Sequence, residues 1–180
     1  LFLQFNMDAL KKWSTQDGIN ERVVPLIDRG SESNRRRGLP KEDITANLLA
    51  IHTFAHLLIN RLAFECGYGA ASLRERLYVS DSEETRMAGV LIYTASGDSE
   101  GSLGGLVRMG LPGRMDEVVK SALYGARWCS NDPVCMENGA FDMGGQGPAG
   151  NNLAACHACS LVAETSCEKF NVLLEWAVVF

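Results

Sequence analysis

Apolar residues recur at helical spacing after Pro40, and this stretch is the longest ordered element that the sequence predicts. The apolar positions are Leu48, Leu49, Ile51, Phe54, Ala55, Leu58, Ile59 and Leu62. Glu42 and Asp43 would lie in the first turn, where carboxylates complement the helix dipole, and Gly67 and Gly69 would end the helix. Because apolar positions surround most of it, we expect this helix to be central and buried.

The residues before Pro40 predict less order. Leu1 to Phe5 alternate weakly, which indicates a short strand, and Asn6 would cap a helix over residues 7–13. From Gly18 to Pro40 the chain is rich in Gly, Ser, Asn and Arg, a composition typical of a linker or a flexible loop.

Four further elements are predicted downstream of the long helix. Residues 70–76 indicate a short helix, and the run GVLIYT over residues 89–94 indicates a buried strand. Apolar spacing predicts one helix over residues 114–127 and a final helix over residues 168–179. The fold class is therefore α+β, mainly helical with a small sheet.

Length and composition favour one main core. With 180 residues and 46% hydrophobic content, the chain can bury a substantial interior. We divide it into residues 1–40, with the strand, the first helix and the Arg-rich linker, and a domain over residues 41–180. No signal peptide or membrane span is recognisable, so a cytoplasmic setting is expected. Because the chain opens on a strand-like LFLQF without Met, we expect it to be part of something longer.

The charge balance disfavours a freestanding nucleic-acid binder. The net charge is −5, whereas such binders normally present a basic face. The concentrated positive segment is Arg29 followed by Arg35, Arg36 and Arg37. It is either a solvated loop or an arm that contacts phosphates, for which Arg offers bidentate contacts.

Five of the six cysteines lie between Trp128 and Asn171, which points to a metal site. They are Cys129, Cys135, Cys156, Cys159 and Cys167. Two disulfides would leave one thiol over, and a redox CxxC would leave the other cysteines unexplained. An iron–sulfur cluster also takes four thiolates. We predict a four-cysteine zinc site that joins the two C-terminal helices, with the CxxC at its centre.

The ligand set follows from the position of each cysteine. Cys156 and Cys159 have the two-residue spacing of a zinc knuckle. Cys167 would open the last helix, where the positive dipole favours a thiolate. For the fourth ligand we prefer Cys135, which follows a turn, but Cys129 is an alternative because five sulfurs exceed a tetrahedral site.

Two other groups of residues invite a chemical interpretation. His52 and His56 share one face of the long helix and are either core histidines or metal ligands, although the zincin Glu is absent at Thr53. The loop over residues 97–105 follows a strand and is Gly-rich, but it lacks the Lys of a P-loop and carries Asp98 and Glu100, which would repel phosphate. Nucleotide binding is therefore disfavoured.

With these motifs in view, the chain resembles the C-terminal part of the DrmB family, the helicase-associated component of DISARM antiphage defence systems. The matching segments are FLQF, HTFAHLLI, CGYGAASLRERLYV, GVLIYTASGDSEGSLGGLVR, WCSNDPVC and NLAACHACSLVAETSCEKFN. The same module is similar to the C-terminal zinc-binding domain of MrfA-type helicases. In that domain four cysteines hold zinc, which the resemblance carries to Cys156, Cys159 and Cys167.

The resemblance implies a zinc-stabilised domain that works beside a superfamily 2 helicase on DNA. Since no catalytic constellation is evident, our leading hypothesis is a non-catalytic accessory domain that docks the helicase subunit, a DrmA-like partner, and helps engage DNA. The arginine run supplies Arg35, Arg36 and Arg37 as candidate DNA contacts. No Walker motif is present, so ATP hydrolysis would belong to the partner. The alternative is a metal-dependent hydrolase or nuclease that uses His52 and His56 with Asp98 or Glu100.

Overall fold

The structure is a computed structural model, and it describes residues 1–69, 71–95, 103–137 and 145–179. Most of the Gly-rich loop over residues 97–105, with Asp98 and Glu100, lies outside these described residues. The fold is α+β: helices are combined with one small antiparallel sheet, as the sequence predicts.

The long helix α3 (Ala46–Cys66) lies at the centre of the fold. It begins later than predicted, because the Thr45 hydroxyl, not Glu42 or Asp43, caps it by accepting the Leu48 N–H at 3.2 Å. Gly67 ends it in the left-handed conformation at φ 68°. Leu49, Ile51, Ala55, Leu58 and Leu62 are completely buried, so the helix is enclosed on several sides, as expected.

Three antiparallel strands form one sheet in the order β1-β3-β2, and β2 and β3 pack against α3. They are β1 (Phe2–Gln4), β2 (Leu73–Ser80) and β3 (Met87–Thr94). The helix predicted over residues 70–76 is wrong, since residues 73–76 lie in strand β2. Leu73 and Glu75 are buried while Arg74 and Arg76 are exposed, which is the two-residue alternation of a strand.

The residues predicted to form a linker are a helix in the structure. After α1 (Met7–Ser14), which Asn6 caps as predicted, α2 (Asp17–Arg36) packs on α3. Its Val23 and Leu26 are buried at helical spacing. Gly30 allows close approach, because a Cβ there would lie 2.6 Å from Leu173 Cδ2. The domain division at residue 40 stays a prediction.

The C-terminal half contains short elements joined by turns. Three helices are α4 (Leu103–Met109), α5 (Arg114–Gly125) and α6 (Val134–Glu137), followed by 3-10 turns at Pro148–Gly150, Glu164–Ser166 and Trp176–Val179.

The predicted final helix over residues 168–179 is wrong, so the zinc site is not shown to join two C-terminal helices. Phe170, Asn171 and Leu173 have positive φ values of 54°, 57° and 65°, which an α-helix cannot include. The segment instead pairs its backbone with residues 151–154, for example through the Leu173 N–H and the Asn151 carbonyl at 2.7 Å.

The described helices include none with the length and apolar character needed to cross a lipid bilayer.

Candidate metal centre

Four cysteines converge at one end of the molecule. Cys129 lies in the turn after α5, Cys135 lies in α6, and Cys156 and Cys159 flank a tight turn. Their sulfur atoms all lie within 4.8 Å of one another. The Cys129–Cys156 sulfur distance is 3.5 Å, the Cys135–Cys159 distance 3.8 Å and the Cys156–Cys159 distance 3.7 Å. Both candidates for the fourth ligand therefore belong to the group.

This arrangement fits a tetrahedral zinc ion. Zn–S bonds of about 2.3 Å place the sulfurs of a tetrahedron about 3.8 Å apart, close to the separations in this group. All six cysteines are free thiols, so none is used in a disulfide. The four-cysteine set leaves no open coordination position, which is the arrangement of a structural site and not of a catalytic one.

Neighbouring N–H groups are arranged to stabilise thiolates. The Cys156 amide donates to Cys159 Sγ at 3.2 Å, and the Asn131 amide donates to Cys129 Sγ at 3.4 Å. The Asn131 side chain reaches Cys156 Sγ at 3.3 Å. Gln146 Nε2 lies 3.7 Å from Cys135 Sγ. Such hydrogen bonds favour the charged form of sulfur that binds a metal.

Without a cation, ionising the whole group is unfavourable. Burial raises the pKa of Cys159 to about 11, against the opposing hydrogen bonds from the Ser160 hydroxyl and the Cys156 amide. Burial also raises the pKa of Cys135. Burial opposes ionisation of Cys156 too, but the Ala158 amide lowers its pKa below the ordinary value. A divalent metal would displace these protons, so zinc affinity at this site would rise with pH.

An ion pair between a buried glutamate and a partly buried arginine braces the group from α2. Arg22 Nε lies 2.9 Å from Glu175 Oε2, and Arg22 also donates to the Met136 carbonyl at 2.8 Å, next to Cys135. Glu175 is fully buried and accepts the amide of Ala154, at 3.2 Å. Burial raises the pKa of Glu175, and Arg22 opposes this effect. The pair therefore ties helix α2 to both sides of the cysteine group.

Cys167 lies in a second group, away from the other four cysteines. It is placed with His52 and His56 of α3 and Glu75 of β2, and all four side chains are buried. His52 Nε2 lies 3.2 Å from Cys167 Sγ and 3.2 Å from Glu75 Oε1. The structure thus separates Cys167 from the CxxC, with which the resemblance groups it, and unites it with the predicted histidine pair.

The ionisable side chains in this second group shift one another's pKa values. Burial lowers the pKa of His52, but Glu75 and then Cys167 raise it to about 10. Burial raises the pKa of Glu75, yet the two histidines hold it well below its ordinary value. Burial likewise opposes ionisation of Cys167, whereas the hydrogen bond from His52 and the charges of the two nearby histidines lower its pKa to about 7. The arrangement favours negative charge on the carboxylate and the sulfur.

Sequence reasoning missed Glu75. The available signal was its position between Leu73 and Leu77, which share the inward face of a strand, so that an acid there requires a buried partner. Reading residues 70–76 as a helix concealed that signal.

The three arginines proposed as DNA contacts end helix α2. Arg35 and Arg36 lie in its last turn, and Arg37 is its C-terminal cap. Glu32 accepts hydrogen bonds from Arg35 at 2.8 Å and Arg36 at 2.7 Å, which lower the pKa of Glu32. Part of the positive charge therefore has a local partner.

Comparison with known proteins agrees with this geometry. The model of the MrfA Zn-binding domain family matches residues 54–160, more than half of the chain and the segment that holds all four grouped cysteines. The chain is also 39% identical, over 97% of its length, to the DISARM protein DrmB of Bacillus paralicheniformis. It covers 30% of that relative's length. On these grounds the chain belongs to the MrfA zinc-binding domain family and is similar to DrmB, as its motifs indicate.

Proposed function

We propose that this chain is a non-catalytic, zinc-stabilised accessory domain of a DISARM protein, which docks a superfamily 2 helicase subunit and helps that subunit engage DNA. The observation that carries the proposal is the four-cysteine group, which lies directly beside the exposed Trp128. Membership of the zinc-binding family and similarity to a DISARM DrmB protein support the proposal that the chain works in a DISARM system. In this role zinc supplies a rigid scaffold, and the cysteine side chains would hold it.

The docking surface that we propose is an aromatic groove beside the cysteine group. Its lining includes Phe64, Arg61, Ala126, Trp128 and Cys159, and its volume is about 220 Å³. Phe64 is 77% exposed and Trp128 is 71% exposed. Large exposed aromatic side chains next to an arginine are typical of the energetic centre of protein interfaces. The turn that carries Trp128 is fixed by Cys129, so the zinc site would position this surface.

A hydrolase centred on His52 and His56 has less support. Both histidines and Glu75 are inaccessible to solvent, and a catalytic metal needs an open position for substrate or water. Four protein donors already surround that point. This favours a structural role for the group.

The docking proposal predicts a selective loss of partner binding. Replacing Phe64 and Trp128 together by alanine should weaken binding to a purified DrmA-like helicase subunit by at least about 30-fold, since truncating a central interface aromatic often costs 2 kcal/mol or more. Calorimetry on the zinc-loaded chain measures the affinity. The matched control replaces the exposed Val107 and Leu111, which lie outside the groove, and should bind like the wild type. Unchanged affinity in the aromatic variant, with normal zinc content, would overturn the docking surface.

The DNA role predicts a change in salt dependence. We propose that Arg35, Arg36 and Arg37 contact phosphates when the chain and the helicase subunit bind DNA together. Replacing all three by alanine should reduce the slope of log affinity against log salt by about 2 to 3, since each lost phosphate contact contributes about 0.9. The control replaces three exposed arginines elsewhere, Arg86, Arg114 and Arg127, with the same change in charge. Equal slopes for both triple variants would contradict a specific role for the α2 arginines.

A further inference from the structure

Four buried donor atoms from distant parts of the chain meet below the sheet. The two histidines come from successive turns of α3, Glu75 from β2, and Cys167 from the turn after Glu164–Ser166. The histidines and the cysteine are separated by more than one hundred residues along the chain. No residue of this group belongs to the four-cysteine site.

Hydrogen bonds fix the orientation of His56 and leave one nitrogen free for a ligand. Its Nδ1 lies 2.9 Å from the Ser160 carbonyl oxygen, which can only accept, so Nδ1 carries the proton. The other nitrogen, Nε2, lies 3.5 Å from Glu75 Oε1, which is an acceptor. A backbone carbonyl that holds the second nitrogen is the usual support for a metal-binding histidine.

The carboxylate and the sulfur are also held as anions by backbone amides. Cys167 Sγ accepts the amides of Lys169 at 3.3 Å and Asn171 at 3.2 Å, the kind of support found around metal-bound thiolates. Glu75 Oε1 accepts the Glu168 amide at 3.2 Å. The point between these atoms is therefore surrounded by electron pairs.

Several polar atoms of these four residues make no hydrogen bond. Within the described part of the chain, His52 Nδ1, His56 Nε2 and Glu75 Oε2 are buried without a hydrogen bond. Of these atoms, His56 Nε2 faces the group, whereas His52 presents Nε2 to it and its Nδ1 lies outside. Because a buried lone pair that faces another acceptor costs free energy, the contact between His56 Nε2 and Glu75 Oε1 indicates that a cation belongs between these ligand atoms.

The distances between the ligand atoms indicate whether a shared proton or a metal ion lies between them. A charge-assisted bond between imidazolium and carboxylate is normally about 2.7–2.9 Å long. The two histidine–Glu75 distances are 3.2 Å and 3.5 Å. Ligands of a tetrahedral zinc with Zn–N and Zn–O bonds of about 2.0–2.2 Å and Zn–S of about 2.3 Å lie about 3.3–3.6 Å apart. The observed spacing matches the metal geometry better.

From this geometry we infer that the chain holds a second structural zinc ion, bound by His52, His56, Glu75 and Cys167. Imidazole, thiolate and carboxylate together suit Zn²⁺, and four protein donors close its coordination sphere. The ion would fasten the C-terminal segment to α3 and β2. The four-cysteine site instead links the segment after α5 to the CxxC turn.

The direct test needs no substitution. The chain is purified under reducing conditions, dialysed against metal-free buffer, and analysed for zinc content and by zinc-edge X-ray absorption. We expect two zinc ions per chain, with five sulfur and three nitrogen or oxygen ligands shared between them. One zinc per chain with sulfur ligands alone would overturn the inference and leave the four-cysteine site intact.

A pair of histidine variants then assigns the second ion. His56→Gln should lower the content from two zinc ions to one and leave a spectrum of sulfur ligands only. His157→Gln is the matched control, because His157 is exposed beside the CxxC and belongs to neither group, and it should retain two. Retention of two zinc ions by the His56 variant would contradict the assignment.

Discussion

Replacing Cys156 by serine is expected to remove zinc from the four-cysteine site and unfold the surrounding segment. Serine is a poor ligand for zinc, and losing a direct ligand should lower zinc affinity by more than the 10- to 100-fold typical of supporting residues. Because metal binding is coupled to folding, most of the stability that zinc confers would be lost with it. Cys156 is only partly buried, so the substitution itself disturbs little packing. Competition with a chromophoric chelator measures the affinity.

Cys66→Ser is the control for this prediction. Cys66 is a half-buried free thiol that belongs to neither group of potential ligands. Its replacement should leave zinc affinity unchanged. A Cys156 variant with the affinity of the wild type would show that this cysteine is not a ligand.

Replacing Glu175 by alanine is expected to destabilise the fold by about 3–5 kcal/mol, the usual cost of breaking a buried ion pair. The change strands the Arg22 guanidinium, which is 22% exposed, and removes the acceptor for the Ala154 and Ala177 amides. Urea unfolding of the zinc-loaded chain measures the free energy. Glu175→Gln should cost less, because its amide oxygen can still accept from the backbone.

An exposed ion pair provides the matched control. Glu117 lies 3.0 Å from Lys120, with the two side chains 74% and 72% exposed. Glu117→Ala should change the free energy of unfolding by less than about 1 kcal/mol. If Glu175→Ala cost no more than this control, the proposed bracing of the cysteine group by α2 would be incorrect.

The parts of the molecule that the sequence predicted are those specified by nearby residues. Apolar spacing identified α3, and the density of cysteines identified a metal site before any geometry was available. Helix α2 was not predicted because its interior contains Pro25 and Gly30, residues that normally indicate a loop. It also buries few large apolar side chains, Val23 and Leu26. Packing against α3 overrode the local composition.

The parts that were missed depend on contacts between distant residues. Phe170 and Leu173 adopt left-handed backbone conformations that their own preferences disfavour. Asn171 stabilises that turn through its side chain, which accepts the Val162 amide at 3.1 Å and donates to the Val162 carbonyl at 2.8 Å. The position of Cys167 also depends on distant residues, because its neighbours His52, His56 and Glu75 come from α3 and β2. Spacing along the chain therefore could not separate Cys167 from the CxxC.

The central claim is that zinc maintains the fold around the four cysteines. The NMR signals of the tryptophan indole groups test this claim most directly. The sequence has three tryptophans, and Trp176 is buried in the cluster that contains Cys129 and Cys135. Zinc is removed with a chelator, its removal is verified by elemental analysis, and nitrogen-15 NMR spectra are recorded before and after zinc is restored. We expect the Trp176 indole signal to move to its unfolded position and to return with zinc. An unchanged signal in the metal-free chain would contradict the account.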